Sequence, residues 1–237
     1  MAKIFTLCSL AILIPGLCQA DEGLGNGADG ASMPIRIGQA DAVDDTLSIG
    51  QPHEGALAYG TPLRASDHLG VRQGRNFGTV ELVGLIEAAA AKVSRDHSDT
   101  PKLYVGDLSL KHGGPMSPHV SHQSGLDADI GYYLKRGHVT DRLKSASLKT
   151  LDIPRTFTFM ETLLESGDVQ YVFSDKGIIK ALRAYALDTV GLPAAKVSAW
   201  FGGQGKRAIV RHLKGHASHL HLRVKGSASK ATLAQVK

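Results

Sequence analysis

Cysteine is nearly missing from this 237-residue chain: there are two, Cys8 and Cys18, and both fall within the first twenty residues. Aromatic side chains are scarce, at 5%, with one tryptophan, Trp200. No apolar run approaches the roughly 20 residues that span a bilayer; the longest, from Ile4 to about Ile14, ends at Pro15-Gly16. Charge of one sign is lacking too, with 27 basic against 22 acidic residues. Each scarcity excludes something. Beyond residue 18 there is no thiolate, so a disulfide scaffold is ruled out there and a metal centre has only His, Asp and Glu to draw on. The basic residues are dispersed and carry no aromatic-interleaved stripe, so no nucleic-acid partner is expected.

What is present begins with an address. Residues 1–20 combine Lys3, the short apolar run, and Ala20 ahead of Asp21-Glu22. That is the layout of a secretory signal peptide cleaved after Ala20. Lipidation at Cys18 is the rival reading, disfavoured by bulky Leu17 before it. An exported chain of this size buries a substantial core without disulfides. Residues 21–44, rich in Gly, Ala, Asp and Ser, read as a flexible lead-in. One domain is expected over 45–225, and a loose polar tail over 226–237.

Within that domain, "TVELVGLIEAAAAKVSR" (79–95) predicts a helix capped by Thr79, with Leu82, Leu85, Ile86, Ala89 and Val93 on one stripe. Strands are expected at 102–110, 126–134 and 169–173, and helices at 155–167 and 176–191. Strands and helices mix without a regular βαβ repeat, which predicts an α+β fold.

Histidine carries the strongest signal. Seven of 11 histidines lie in two windows, 112–122 and 212–221. In "HLHLRV" (219–224), Leu220, Leu222 and Val224 alternate with His219, His221 and Arg223. A strand there puts two imidazoles and a guanidinium on one face. In "LDADIGYYL" the same alternation sets Asp127 and Asp129 apart from Leu126, Ala128, Ile130 and Tyr132. Gly125 permits a turn between His122 and Asp129. An imidazole from a loop, a carboxylate from a strand and an imidazole from a neighbouring strand make three protein ligands. That count leaves a fourth position open for water, as in catalytic zinc sites. Of the other histidines, His53, His68, His97 and His138 read as ordinary surface residues and His112, beside Gly113-Gly114, as loop.

"SHQSGLDAD" (121–129) resembles the S-H-x-x-G-x-A-x-D signature of the lysostaphin, D-Ala-D-Ala peptidase and hedgehog-fold zinc superfamily, with Asp127 where that pattern has Ala. The longer "VGDLSLKHGGPMSPHVSHQSGLDADIGYY", with "GHASHLHLRV", "SIGQPHEGALAYGTPL" and "GRNFGTVELVGLI", resembles the penicillin-insensitive murein endopeptidases. The resemblance runs from about 46 to 225. It implies Zn2+ held by His122, Asp129 and His221, with His119 as a further metal or substrate contact. It implies His219 as catalytic base or electrostatic partner, and His216 close by. Arg223, on the same expected face, is a candidate for holding a substrate carboxylate. The implied activity is hydrolysis of D-alanyl–diaminopimelyl cross-links in peptidoglycan, in the periplasm and without membrane insertion. The fold expected with it is a central antiparallel sheet bearing the zinc site, with helices packed on it. A carboxypeptidase acting on peptidoglycan stems and a non-catalytic wall-binding module are the alternatives. The absence of domain cysteines departs from the family pattern, as does the lack of a tryptophan-rich approach to His216.

Overall fold

A computed structural model describes residues 46–202 and 208–226. The expected signal peptide and lead-in lie outside those residues, as does the tail beyond Gly226. In chain order, β1 (Leu47–Gln51) and β2 (Glu54–Ala58) pair as an antiparallel hairpin. β3 (Thr61–Pro62) pairs with β5 (Phe77–Gly78), and β4 (Leu69–Val71) lies between them in sequence. α1 (Val80–Asp96) follows, then β6 (Leu103–Val105), β7 (Asp127–Gly131) and α2 (Ile153–Glu165). The chain then forms β8 (Val169–Ser174), α3 (Lys176–Asp188), α4 (Ala194–Phe201), β9 (Val210–His212) and β10 (His219–Val224).

Helix starts follow capping chemistry. The Thr79 hydroxyl accepts the Leu82 amide at 3.3 Å, and Asp152 accepts the Arg155 amide at 3.1 Å. Asp175 accepts the Gly177 amide at 2.7 Å. Each cap satisfies a first-turn donor that has no partner inside the helix. The Asp152 cap, with Pro154 in the first turn, starts α2 two residues before the expected position. α3 ends at Asp188, short of the expected Gly191. On α1, Leu82, Ile86, Ala89 and Val93 are buried as the stripe predicts.

The main sheet has the order β4-β6-β7-β10-β8-β9. Its four inner strands pair antiparallel, so the expected antiparallel sheet is its centre. Its two flanking pairings are parallel, β4 with β6 and β8 with β9. Parallel neighbours need a crossover, and here α1 and the α3–α4 pair supply one each. The domain is α+β.

One face of the sheet joins the core: Leu103, Val105, Ala128, Ile130, Val172, Leu220 and Leu222 are buried with Ile86, Phe157, Met160 and Leu182 from the helices. Each such aliphatic or aromatic side chain contributes roughly 1.5–3 kcal/mol. The opposite face carries Asp127, Asp129, Tyr171, Phe173, His219, His221 and Arg223.

The expected strand at 102–110 is only three residues long. Past Val105 the backbone stays bonded to Asp129 of β7 through the Gly106 amide and the Asp107 carbonyl, each at 2.8 Å. Only then does it pass to the 75–77 segment: the Leu108 amide donates to the Arg75 carbonyl at 2.7 Å and the Phe77 amide to the Ser109 carbonyl at 3.2 Å. The strand expected at 126–134 is regular only over Asp127–Gly131, although Tyr132, Tyr133 and Leu134 stay buried. α4, β9 and the β1–β2 hairpin carry no period that singled them out.

Candidate metal centre

Register builds the site. In the β7–β10 pair His221 faces Asp129, and Arg223 faces Asp127. Directly opposed side chains on one face stand about 4.5–5.5 Å apart at Cβ, so His221 and Asp129 meet without any long reach. The third element is the loop before β7. It turns back at Gly125, whose φ is +73°. A Cβ there would stand 2.7 Å from a Leu57 methyl carbon and 3.2 Å from the Thr79 nitrogen. Only glycine fits both the angle and the space.

The turn delivers His122, itself at φ +70°, a backbone conformation costly for a non-glycine residue. Two bonds hold it there. Its amide donates to Asp127 Oδ2 at 3.0 Å, and its Nδ1 donates to the Leu108 carbonyl at 2.6 Å. A carbonyl only accepts, so Nδ1 carries the proton and Nε2 faces the site with its lone pair.

His221 is set the same way. Its Nε2 lies 3.0 Å from Asp127 Oδ1, and its Nδ1 lies 3.0 Å from Asp129 Oδ1. Asp127 is fully buried and also accepts from Arg223, through Nε at 2.6 Å and Nη2 at 2.7 Å. Burial opposes its charge, but the bonds from His221 and Arg223 win and hold it well below the usual carboxylate range. An ionised Asp127 requires a proton on His221 Nε2, so it is Nδ1, facing Asp129, that presents an electron pair once the ring is neutral.

His119 completes the pattern. Its Nε2 donates to Asp107 Oδ2 at 2.8 Å, and its Nδ1 lies 3.7 Å from Asp129 Oδ2. Asp107 is anchored in turn by Arg75 at 3.2 Å and by Arg72, whose Nη1 is 3.0 Å from Oδ1 and 3.2 Å from Oδ2. The aligned hydrogen bond from Arg72 is the one to Oδ2; the Oδ1 approach is charge against charge.

Asp129 Oδ1, His122 Nε2 and His221 Nδ1 thus form a triangle with edges of 3.0, 3.3 and 3.4 Å. Ligands about 2.0–2.1 Å from a tetrahedral ion lie about 3.4 Å apart. His119, His122 and Asp129 each also offer an atom within 4.8 Å of the others. Electron pairs this close repel unless a positive charge lies among them. The same demand appears in two shifts. Asp129 is buried, yet the imidazoles of His122, His221 and His219 gathered around it hold it far below the usual range. His221, also buried, is pushed up to about 9 by Asp127 and Asp129. The donor set, two imidazoles and a carboxylate with no thiolate, fits a divalent cation of the zinc type.

His219 Nε2 stands 3.6 Å from Asp129 Oδ1, while its Nδ1 is 3.0 Å from Ser218 Oγ. Burial lowers its pKa below 6.5, and the neighbouring imidazoles outweigh part of the pull from Asp129. His219 is therefore neutral at neutral pH. His216 lies at the rim, its ring 4.9 Å from that of His219. The Tyr132 hydroxyl, within 2.9 Å of the His216 and His219 carbonyls and 2.7 Å from Ser174 Oγ, anchors that turn. Arg223 contacts Asp127 and the Tyr171 ring, 5.1 Å away.

Sequence reasoning missed Asp107, Arg72, Arg75 and the Tyr132 hydroxyl. Tyr132 falls on the apolar side of the strand pattern, and Asp107 follows the point where β6 ceases to alternate, so no periodicity exposes either.

The fold and site define an α+β domain whose sheet face bears a histidine–aspartate cluster that could hold a cation. The chain belongs to the penicillin-insensitive murein endopeptidase family, whose model matches residues 48–182. That match includes His119, His122, Asp127 and Asp129 and stops before β10; geometry adds His219 and His221. Relatives bearing the name penicillin-insensitive murein endopeptidase include one from Pectobacterium atrosepticum, 30% identical over 75% of this chain and 64% of its own length. Another, from Yersinia enterocolitica, is 28% identical over 69% of this chain and 60% of its own length. One from Escherichia coli O9:H4 is 27% identical over 65% and 55%. The chain thus spans less than two thirds of the length of these relatives.

Proposed function

We propose that this chain is a zinc-dependent endopeptidase that hydrolyses D-alanyl–diaminopimelyl cross-links of peptidoglycan in the periplasm. The observation that supports it most is the triangle of Asp129, His122 and His221, with both imidazole tautomers set from behind by Leu108 and Asp127. These three residues would hold the ion, and His119 stands beside them as a fourth contact to ion or substrate. Zinc, when bound there, supplies Lewis acidity toward a carbonyl and acidifies a water.

The chain's own residues do the rest. Neutral His219, beside Asp129, takes the proton of the attacking water and returns it to the leaving amine. Its protonated form stabilises the negative charge that develops on the carbonyl oxygen. His216, over His219, borders the approach. Arg223 keeps Asp127 ionised and thereby keeps His221 in its ligating tautomer. No serine acyl-enzyme is involved, so penicillin leaves the reaction untouched. No helix among the described residues is long and apolar enough to cross a membrane.

The test is mass spectrometry of purified cross-linked muropeptide dimers after incubation with the protein. Conversion to monomers is expected, abolished by chelator and by His221→Ala and restored by zinc only in the chelated sample. His219→Ala should bind zinc normally and lose about 100- to 10,000-fold in kcat. Release of single alanines would replace the reading by a carboxypeptidase. Intact dimers with zinc bound would replace it by a wall-binding module.

A further inference from the structure

The sheet face that bears the histidines continues past them. Across the strands one row runs from Asp129 on β7 through His221 on β10 and Phe173 on β8 to Arg211 on β9. The next row holds Asp127, Arg223 and Tyr171. The two aromatic residues are half-buried and form a wall beside the centre. The rings of Tyr171 and Phe173 are 4.5 Å apart, and those of Phe173 and His216 are 5.9 Å apart. The Tyr171 ring lies nearly parallel to that of His221, 6.3 Å away.

Two guanidinium groups lie against Tyr171, Arg223 at 5.1 Å and Arg211 at 5.4 Å. They differ in what neutralises them. Arg223 is matched, oxygen for nitrogen, by Asp127. Arg211 donates Nε to the Ala208 carbonyl at 2.7 Å, a neutral partner. Among the described residues no carboxylate lies within ion-pair distance of it, and its two Nη groups have no acidic partner there. A half-buried guanidinium held by an aromatic ring and a backbone bond, with its forked end uncommitted, is pre-organised for a carboxylate.

We propose that Arg211 is a specificity-determining residue, taking a free carboxylate of the peptide substrate along the Phe173–Tyr171 wall. The inference rests on the endopeptidase reading for its substrate. In a D-alanyl–diaminopimelyl cross-link the carbon bearing the scissile nitrogen also carries a free carboxylate, so an anion accompanies the amide into the site. Arg223 is excluded from this role, because removing it from Asp127 would strand a buried charge.

The test compares dimers whose cross-link carboxylate is free with dimers in which it is amidated. The protein should prefer the free acid by about 10- to 100-fold in kcat/KM, mostly through KM. Arg211→Gln should erase that preference while cleaving the amidated dimer as the native chain does, and Arg211→Lys should recover part of it. Melting temperatures of both variants, matched to the native chain, confirm folding. A preference that survives Arg211→Gln overturns the inference, as does an equal loss on both dimers. Calorimetry of the metal-free protein with the two dimers separates this from the failure of the endopeptidase reading. If no dimer is cleaved yet the free acid binds more tightly and Arg211→Gln removes the difference, the carboxylate site stands and the endopeptidase reading falls. Equal binding of both forms by the native chain overturns the carboxylate site.

Discussion

Asp127 touches no candidate reacting group, yet the site depends on it. Its two oxygens accept from the His122 amide, His221 Nε2 and two nitrogens of Arg223, with no exposure to solvent. Asp127→Asn conserves shape but turns an acceptor-only group into one with two donor hydrogens. One of them must then face Arg223 or the His122 amide, donor against donor. Breaking a buried pair this way costs about 3–5 kcal/mol. It also frees the His221 tautomer, and outer-shell losses of this kind lower metal affinity about 10- to 100-fold. Competition with a chromophoric chelator measures the second effect independently of melting. Unchanged affinity would mean that β10 packing alone orients His221. The signal for Asp127 in the sequence was its place on the polar face of a strand; its work as an anchor was not legible, because the four donors come from positions 122, 221 and 223.

At the scale of elements the centre is one antiparallel pair plus a loop. β7 and β10 supply the carboxylate and one imidazole by register, which alternation made readable in "LDADIG" and "HLHLRV". The loop supplies His122 only because Gly125 reverses the chain against Leu57 and Thr79. Gly125→Ala puts a methyl into that contact at positive φ, and the expected cost exceeds about 1 kcal/mol. The larger effect is displacement of His122, so zinc affinity should fall while the far-ultraviolet dichroism of the sheet and helices is retained. Titration with zinc under those conditions checks it; native affinity would show that the loop adapts. The flanking supports were unreadable for a different reason. Asp107 reaches His119 from the point where the backbone, still bonded to Asp129 of β7, passes on to residues 75–77, a placement made by long-range pairing rather than by any local period.

The whole molecule couples its fold to the charge at this centre. In the metal-free protein His221 has a pKa raised from 6.5 to about 9. A raised base contributes stability that is fully present below its unfolded value and is lost as pH rises through the folded one. The melting temperature of chelated protein should therefore fall between about pH 6.5 and 9. A bound ion replaces that proton, so the zinc-loaded protein should not show the decline. On the acid side the carboxylates of Asp107, Asp127 and Asp129 are all depressed from 3.8. Their contribution is present above that value and disappears as pH falls below it, so both forms should unfold in acid. Calorimetric scans across pH with and without zinc read all of this; parallel curves from pH 6.5 to 9 would place the coupling elsewhere. Local pattern was enough for the α+β class, α1, the β10 alternation, the Gly125 turn and the polar faces of two strands, because periods of two and 3.6 and the freedom of glycine act between near neighbours. Packing alone paired β7 with β10, joined residues 108–109 to residues 75–77, set each histidine's tautomer and left Arg211 facing the wall of Tyr171 and Phe173. Those depend on residues up to a hundred positions apart, whose proximity no local spacing encodes.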